Sequence, residues 1–117
     1  MRVSNVIESG NFTDGLPTRP VDAEITDIIL NRPNMRIERI VSTGQTSGED
    51  DWYDQSGDEW VMLVAGAARL RIEGEDDDRI LTAGDWLLLQ AHCRHRVTWT
   101  QVTPPTVWLA LHMQAGG

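Results

Sequence analysis

The chain has 117 residues, a formal net charge of −8 and a single cysteine, Cys93. At this length one domain with one core is expected, and the surplus of acids repels both a phosphate backbone and an anionic lipid surface, so neither nucleic acid nor membrane is an expected partner. One cysteine excludes an intrachain disulfide; no apolar run approaches the ~20 residues that span a bilayer, MRVSNVIESG lacks the apolar core of a signal peptide, and a cytoplasmic location is expected.

In chain order, residues 1–34 read as an arm lying over the domain, rich in turn formers such as Gly10, Gly15, Pro17 and Pro20. Within it, Val21 to Leu30 is compatible with a short helix or an edge strand. Met35 to Val41 alternates apolar Met35 and Ile37 with polar Arg36, Glu38 and Arg39, the pattern of a half-buried strand. Trp60 to Ala65 is apolar at both parities, with Val61 and Leu63 on one face and Trp60, Met62 and Val64 on the other. Such a strand needs a second cover, and a homodimer through the Trp60 face is expected. Ala68, Leu70 and Ile72 alternate with Arg69, Arg71 and Glu73. Gly74 to Asp78 is an acidic hairpin loop, read as solvated rather than as a calcium site. Ile80-Leu81, Trp86 to Leu89, His95 to Thr100 and Val107 to Met113 supply further short strands, and residues 114–117 a tail. Short strands with regular turn signals and no helical period predict an all-β sandwich or barrel.

Two segments carry the chemistry. The first runs from a Gly-rich acidic loop through Trp52-Tyr53-Asp54-Gln55 into Glu59 and the apolar strand, ending at Gly66; the second runs from Gly84 to His95 and Trp99. On these residues the chain resembles the cupin superfamily, and within it the small single-domain bacterial cupins with a Trp-Tyr-Asp-Gln segment. Glu59, six residues and Gly66 follow the end of the first cupin motif. Gly84 and His95 follow the second at the right spacing, with Gln90 in place of its Pro, His92 of its second Gly and Trp99 of its Asn. The resemblance covers residues 35–113 and implies a jelly-roll, double-stranded β-helix barrel.

The first motif departs from the family at its His-x-His pair. A four-residue spacer before Glu59 puts Trp52 and Asp54 there, a three-residue spacer Tyr53 and Gln55, and neither register holds a histidine. The resemblance implies one divalent metal (Zn, Fe, Ni or Mn) on Glu59 and His95, with Asp54 as the replacement ligand. It also implies a small-molecule pocket and isomerase- or oxygenase-type activity on a small polar metabolite. Trp52, Tyr53, Gln55, Trp99 and Arg39 are the expected ligand-binding residues, the two tryptophans by stacking. A metal-free module that binds a sugar, and a metal-free epimerase-like enzyme using His95 as general base, remain open beside it. Without a metal, Glu59 needs His95 or Arg39 as its partner, because an uncompensated buried carboxylate is costly. His112 shares the parity of Trp108 and Ala110 and is a further candidate ligand, with exposure at the chain end the expectation. Cys93 is read as a small apolar group.

Overall fold

The computed structural model describes residues 6–114. They form eight strands: β1 (Ile25–Arg32), β2 (Met35–Ser42), β3 (Asp58–Ala65), β4 (Ala67–Ile72), β5 (Arg79–Thr82), β6 (Trp86–Leu89), β7 (His95–Thr100) and β8 (Thr106–Met113). A five-stranded sheet in the order β1-β2-β8-β3-β6 faces a three-stranded sheet in the order β5-β4-β7, and the pairings between strands are antiparallel. This is the expected all-β jelly-roll barrel. Among the described residues no helix is long and apolar enough to cross a membrane. The segment that admitted helix or strand is the edge strand β1, paired along its length with β2.

The core follows from alternation. On β3, Val61 and Leu63 point between the sheets and meet Ala68 and Leu70 of β4, Leu81 of β5, Leu89 of β6 and Trp108 of β8. Fully burying each large aliphatic side chain contributes about 1.5–3 kcal/mol. This apolar packing fills one end of the barrel. At the other end the inward positions turn polar.

β2 inverts the half-buried pattern. Its polar residues Arg36 and Glu38, with Ile40, line the barrel interior, which puts Met35, Ile37, Arg39 and Val41 on the outer face. The rule that apolar residues face inward fails because the interior at this end is a polar cavity. Outside, the Arg39 guanidinium is 2.8 Å from Asp27 and donates to the backbone carbonyls of Phe12 and Asp14, fastening the N-terminal segment over the sheet. The acidic hairpin is held by ion pairs of Glu75 with Arg79 at 2.7 Å and of Asp78 with Arg71 at 3.8 Å, and Asp78 also accepts from Thr98 at 2.7 Å. The hydrogen bond from Arg79 lowers the Glu75 carboxyl below its ordinary value.

Candidate functional site

A cavity of about 260 Å³ opens at the polar end of the barrel. Glu24 and Thr26 enter it from β1 and the residue before it, Arg36 and Glu38 from β2, Glu59 from β3, His95 from β7 and His112 from β8, while Tyr53 and Gln55 come from the loop before β3. Val61, Leu70, Leu89, Val97 and Trp108 form an apolar floor. Polar groups above an apolar floor are the usual make-up of a small-molecule pocket, and the volume suits a small metabolite.

Four of these side chains form a line. His95 Nε2 lies 3.5 Å from Glu59 Oε1, Glu59 Oε2 lies 3.9 Å from His112 Nε2, and His112 Nε2 lies 2.7 Å from Glu38 Oε1. Both His95 and Glu59 are buried. His95 Nδ1 is 2.9 Å from the Cys93 carbonyl oxygen; a carbonyl only accepts, so Nδ1 carries a hydrogen and Nε2 is the nitrogen that gains or loses the working proton. Burial pulls the His95 value down, but the Glu59 hydrogen bond, the Cys93 carbonyl and the Glu59 charge together outweigh it, and the net direction is upward. Glu24 also moves upward, driven by burial and the nearby Glu38 charge against a hydrogen bond from Ser42.

The upward direction at His95 sets a pH dependence. Protonated His95 is favoured in the folded chain, so its stabilisation is full below the ordinary histidine value of about 6.5 and is lost as pH rises through the raised folded value. The thermal midpoint should therefore fall as pH rises from the ordinary histidine value through the raised folded value and level off above it as far as His95 is concerned, and His95→Gln should flatten the slope there. An unchanged slope in the variant would contradict the pairing.

The structure sorts the expected site residues. Of the two spacer registers it realises the three-residue one, since Tyr53 and Gln55 line the cavity. The Tyr53 backbone bridges that of His95, with N···O distances of 2.7 and 3.2 Å, and the two rings lie 5.4 Å apart. Asp54, between Tyr53 and Gln55, has the opposite parity and pairs outside with His92 at 2.7 Å, its side chain 47% exposed. Trp52 shares that outer parity and lies under the guanidinium groups of Arg94 and Arg96, at 5.5 and 5.3 Å. Trp99 does not share the inward face of His95 and Val97. The β4–β7 register shifts between Arg69 and Leu70, and this bulge turns Trp99 to the surface beside Arg69, 5.9 Å from its ring, while Thr100 takes the buried position. Arg39 lies outside as described, so the partner of Glu59 is His95. His112 is inside the cavity rather than exposed, because β8 is sandwiched between β2 and β3 to its last residue.

Glu24, Arg36 and Glu38 were not singled out from the sequence. Their signal was the even parity of Arg36 and Glu38, opposite apolar Met35 and Ile37, read with the wrong face inward. His92 explains one departure from the second motif: it occupies a glycine position and adopts φ of 64°. A non-glycine residue there is strained, and the Asp54 pairing and the bond from His92 N–H to the Gln55 carbonyl at 2.7 Å hold it in place. Cys93 is a free thiol packed against the core, as a small apolar group would be.

The metal set of Asp54, Glu59 and His95 does not converge, since Asp54 faces outward. Among the described residues no group of three or more His, Cys, Asp or Glu side chains is arranged to hold a metal ion. Each imidazole is turned onto a carboxylate instead of sharing a vacant point with the other. The donors present do not fit the metal centre that the resemblance implies.

The two facing antiparallel sheets, closed around a polar cavity above an apolar floor, define a cupin-type jelly-roll barrel. Comparison with solved structures agrees: the chain is similar, with 46% identity and a TM-score of 0.89 over 93% of its length and 100% of the other chain, to a Ralstonia eutropha JMP134 protein provisionally named a mannose-6-phosphate isomerase. It is also similar in fold to a cupin superfamily protein from Desulfitobacterium hafniense DCB-2, with 14% identity, a TM-score of 0.73 and coverage of 98% and 100%. KdgF from Halomonas sp. gives 18% identity, a TM-score of 0.64 and coverage of 79% and 80%. The chain belongs to the cupin superfamily. No protein-family model and no curated protein matches it.

Proposed function

We propose that the barrel cavity is a proton-transfer site for a small polyhydroxylated metabolite and that it interconverts hydroxy-carbonyl isomers or epimers. The observation that carries this reading is the line Glu38, His112, Glu59, His95, two imidazole–carboxylate couples facing one cavity. In such a reaction one group removes the proton from the carbon beside a carbonyl while a second protonates the carbonyl oxygen, giving an enediol. Return of the two protons in the other sense completes the isomerisation with no net gain or loss of atoms or electrons. Protonated His95, favoured by Glu59, is the donor to oxygen. A carboxylate facing the same space, Glu59 or Glu38, is the acceptor from carbon. Three carboxyls, Glu24, Glu38 and Glu59, outnumber the Arg36 guanidinium and the protonated His95 in this cavity, so the part of the ligand it holds is uncharged and rich in hydroxyl donors. The isomerase name carried by the 46% identical relative supports the reaction class.

The test is conversion of a panel of aldoses, ketoses and their phosphate esters by chelator-stripped protein, followed by NMR. Conversion by the stripped protein supports the reading. Conversion that appears only when zinc, iron, nickel or manganese is added would replace it with the metal-dependent reading, and binding without conversion with a sensory module.

The same reading includes a homodimer. Trp60 and Trp86 stack on the outer face of the five-stranded sheet with centroids 5.9 Å apart and planes at 27°, and Trp86 and Leu88 are 59% and 48% exposed. An apolar surface of this kind marks an interaction site, and the second copy is its proposed cover. Trp86→Glu should convert a dimer to a monomer in sedimentation velocity; a wild-type monomer would remove the proposal.

A further inference from the structure

We propose that a second cavity, under the β1–β2 hairpin, is an oxyanion subsite in which Arg32 and Arg36 hold a phosphate or carboxylate attached to the ligand whose hydroxylated body lies in the barrel. This rests on the proposed proton-transfer reading and names the substrate class for it. The cavity has a volume of about 320 Å³ and is lined by Arg32, Arg36, His112, Asn31 and Gln55, among others. It shares Arg36, Gln55 and His112 with the barrel cavity, so the two cavities adjoin.

The charges of the two cavities are opposed. The barrel cavity carries three carboxyls against protonated His95 and the Arg36 guanidinium that it shares with the second cavity, and an anionic group placed there meets Glu24, Glu38 and Glu59. The second cavity carries two guanidinium groups against one carboxyl, Asp58, whose Oδ1 already accepts the Ala91 N–H at 2.8 Å. A metabolite with hydroxyls at one end and an oxyanion at the other matches this division. A neutral sugar leaves the second cavity without a counter-charge.

Arg36 carries the argument furthest. Its Nε is buried and has no hydrogen-bond partner among the described residues, an arrangement that leaves a charged donor unsatisfied and is uncommon unless a ligand or water meets it. Its nearest acid is Glu38, whose Oε2 lies 3.4 Å from Nε, an ion-pair distance without hydrogen-bond geometry, while the other oxygen, Oε1, is engaged by His112 at 2.7 Å. A guanidinium is suited to oxyanions because its fork of N–H groups matches two oxygens at once. Arg32, on the exposed lip of the hairpin, lines the cavity and donates from Nη1 to the carbonyl of its neighbour Asn31 at 2.9 Å.

The test uses the full chain with inorganic phosphate and, separately, acetate as probes, titrated by calorimetry at low ionic strength against wild type, Arg36→Gln, Arg36→Lys and Arg32→Gln. Circular dichroism melts check that each variant is folded, and Arg32, exposed in the fold, supplies a variant whose stability should be unaffected. Saturable binding of phosphate that weakens roughly tenfold or more in Arg36→Gln and in Arg32→Gln, as expected for loss of a charge-assisted bond, with partial recovery in Arg36→Lys, supports a phosphoryl group. The same pattern with acetate supports a carboxylate. Absence of saturable binding for both probes, or binding unchanged in the folded variants, overturns the subsite. Conversion of neutral sugars in the presence of such a negative result would leave the proton-transfer reading standing, so the two can fail separately.

Discussion

Replacing His95 by alanine is expected to lower turnover of the proposed isomerisation by roughly 10²- to 10⁴-fold, the usual contribution of a positioned acid or base. The effect should fall on kcat more than on KM, because His95 meets the ligand through one nitrogen while the hydroxyls are held by several cavity groups. Removal also leaves Glu59 buried without its imidazole, which costs about 1–3 kcal/mol, so the thermal midpoint should drop as well. Glu59→Gln separates the two effects. It keeps a hydrogen-bonding side chain against His95 and removes only the charge and the proton acceptor, so turnover should fall by a similar factor with a smaller loss of midpoint. Steady-state kinetics on both variants check this, with melts run beside them. If both variants turned over at the wild-type rate, the His95–Glu59 couple would have no part in catalysis.

The second large effect is on stability. Gly66→Ala should lose about 2–4 kcal/mol, a large fraction of the 5–15 kcal/mol that holds a domain together. Gly66 turns β3 into β4 with φ of +83°, and a Cβ built on it would stand 2.8 Å from Thr106 Cα and 3.0 Å from the Pro105 carbonyl oxygen. Both neighbours are backbone and cannot swing away. Gly84 offers the comparison, since its φ is +96° but a Cβ there meets nothing within 4 Å. Gly84→Ala should therefore show only the backbone strain, about 1–2 kcal/mol. Denaturant melts of the two variants give the difference, which isolates the overlap at the turn. Equal losses would mean that the close approach at Gly66 relaxes at no cost.

The Gly66 turn also shows what the sequence made legible. Glu59, Gly66, Gly84 and His95 kept a spacing tied to backbone geometry: a turn that only glycine fits, a strand start, and a histidine entering a strand. Spacing of this kind survives substitution at the positions between, which is why the jelly-roll barrel and the His95–Glu59 couple could be read. Even the replacement of glycine by His92 left its trace, in a residue held at positive φ by Asp54.

What was not legible depended on contacts between distant strands. Trp99, expected to stack on the ligand, shares the parity of His95 by sequence count, and a single bulge opposite Arg69 turns it to the surface. Asp54 was assigned by ligand chemistry, but its neighbours Tyr53 and Gln55 took the inward parity. Arg36 and Glu38 were hidden because an alternating strand does not say which face is wet, and here the polar face lines an internal cavity. His112 sits one residue from the end of β8, where exposure is the ordinary expectation; it is covered because β8 is the middle strand of its sheet. Glu24 precedes its strand altogether and reaches the cavity only through the β1–β2 pairing.

The central question is whether the cavity moves protons with its own side chains. The most direct measurement is hydrogen exchange into a hydroxy-carbonyl substrate in heavy water, using chelator-stripped protein and following the carbon beside the carbonyl by NMR. Deuterium should enter at that carbon with the wild-type chain and slow by at least about a hundredfold with His95→Ala. No exchange by the stripped protein, with exchange restored on adding a divalent metal, would contradict the account.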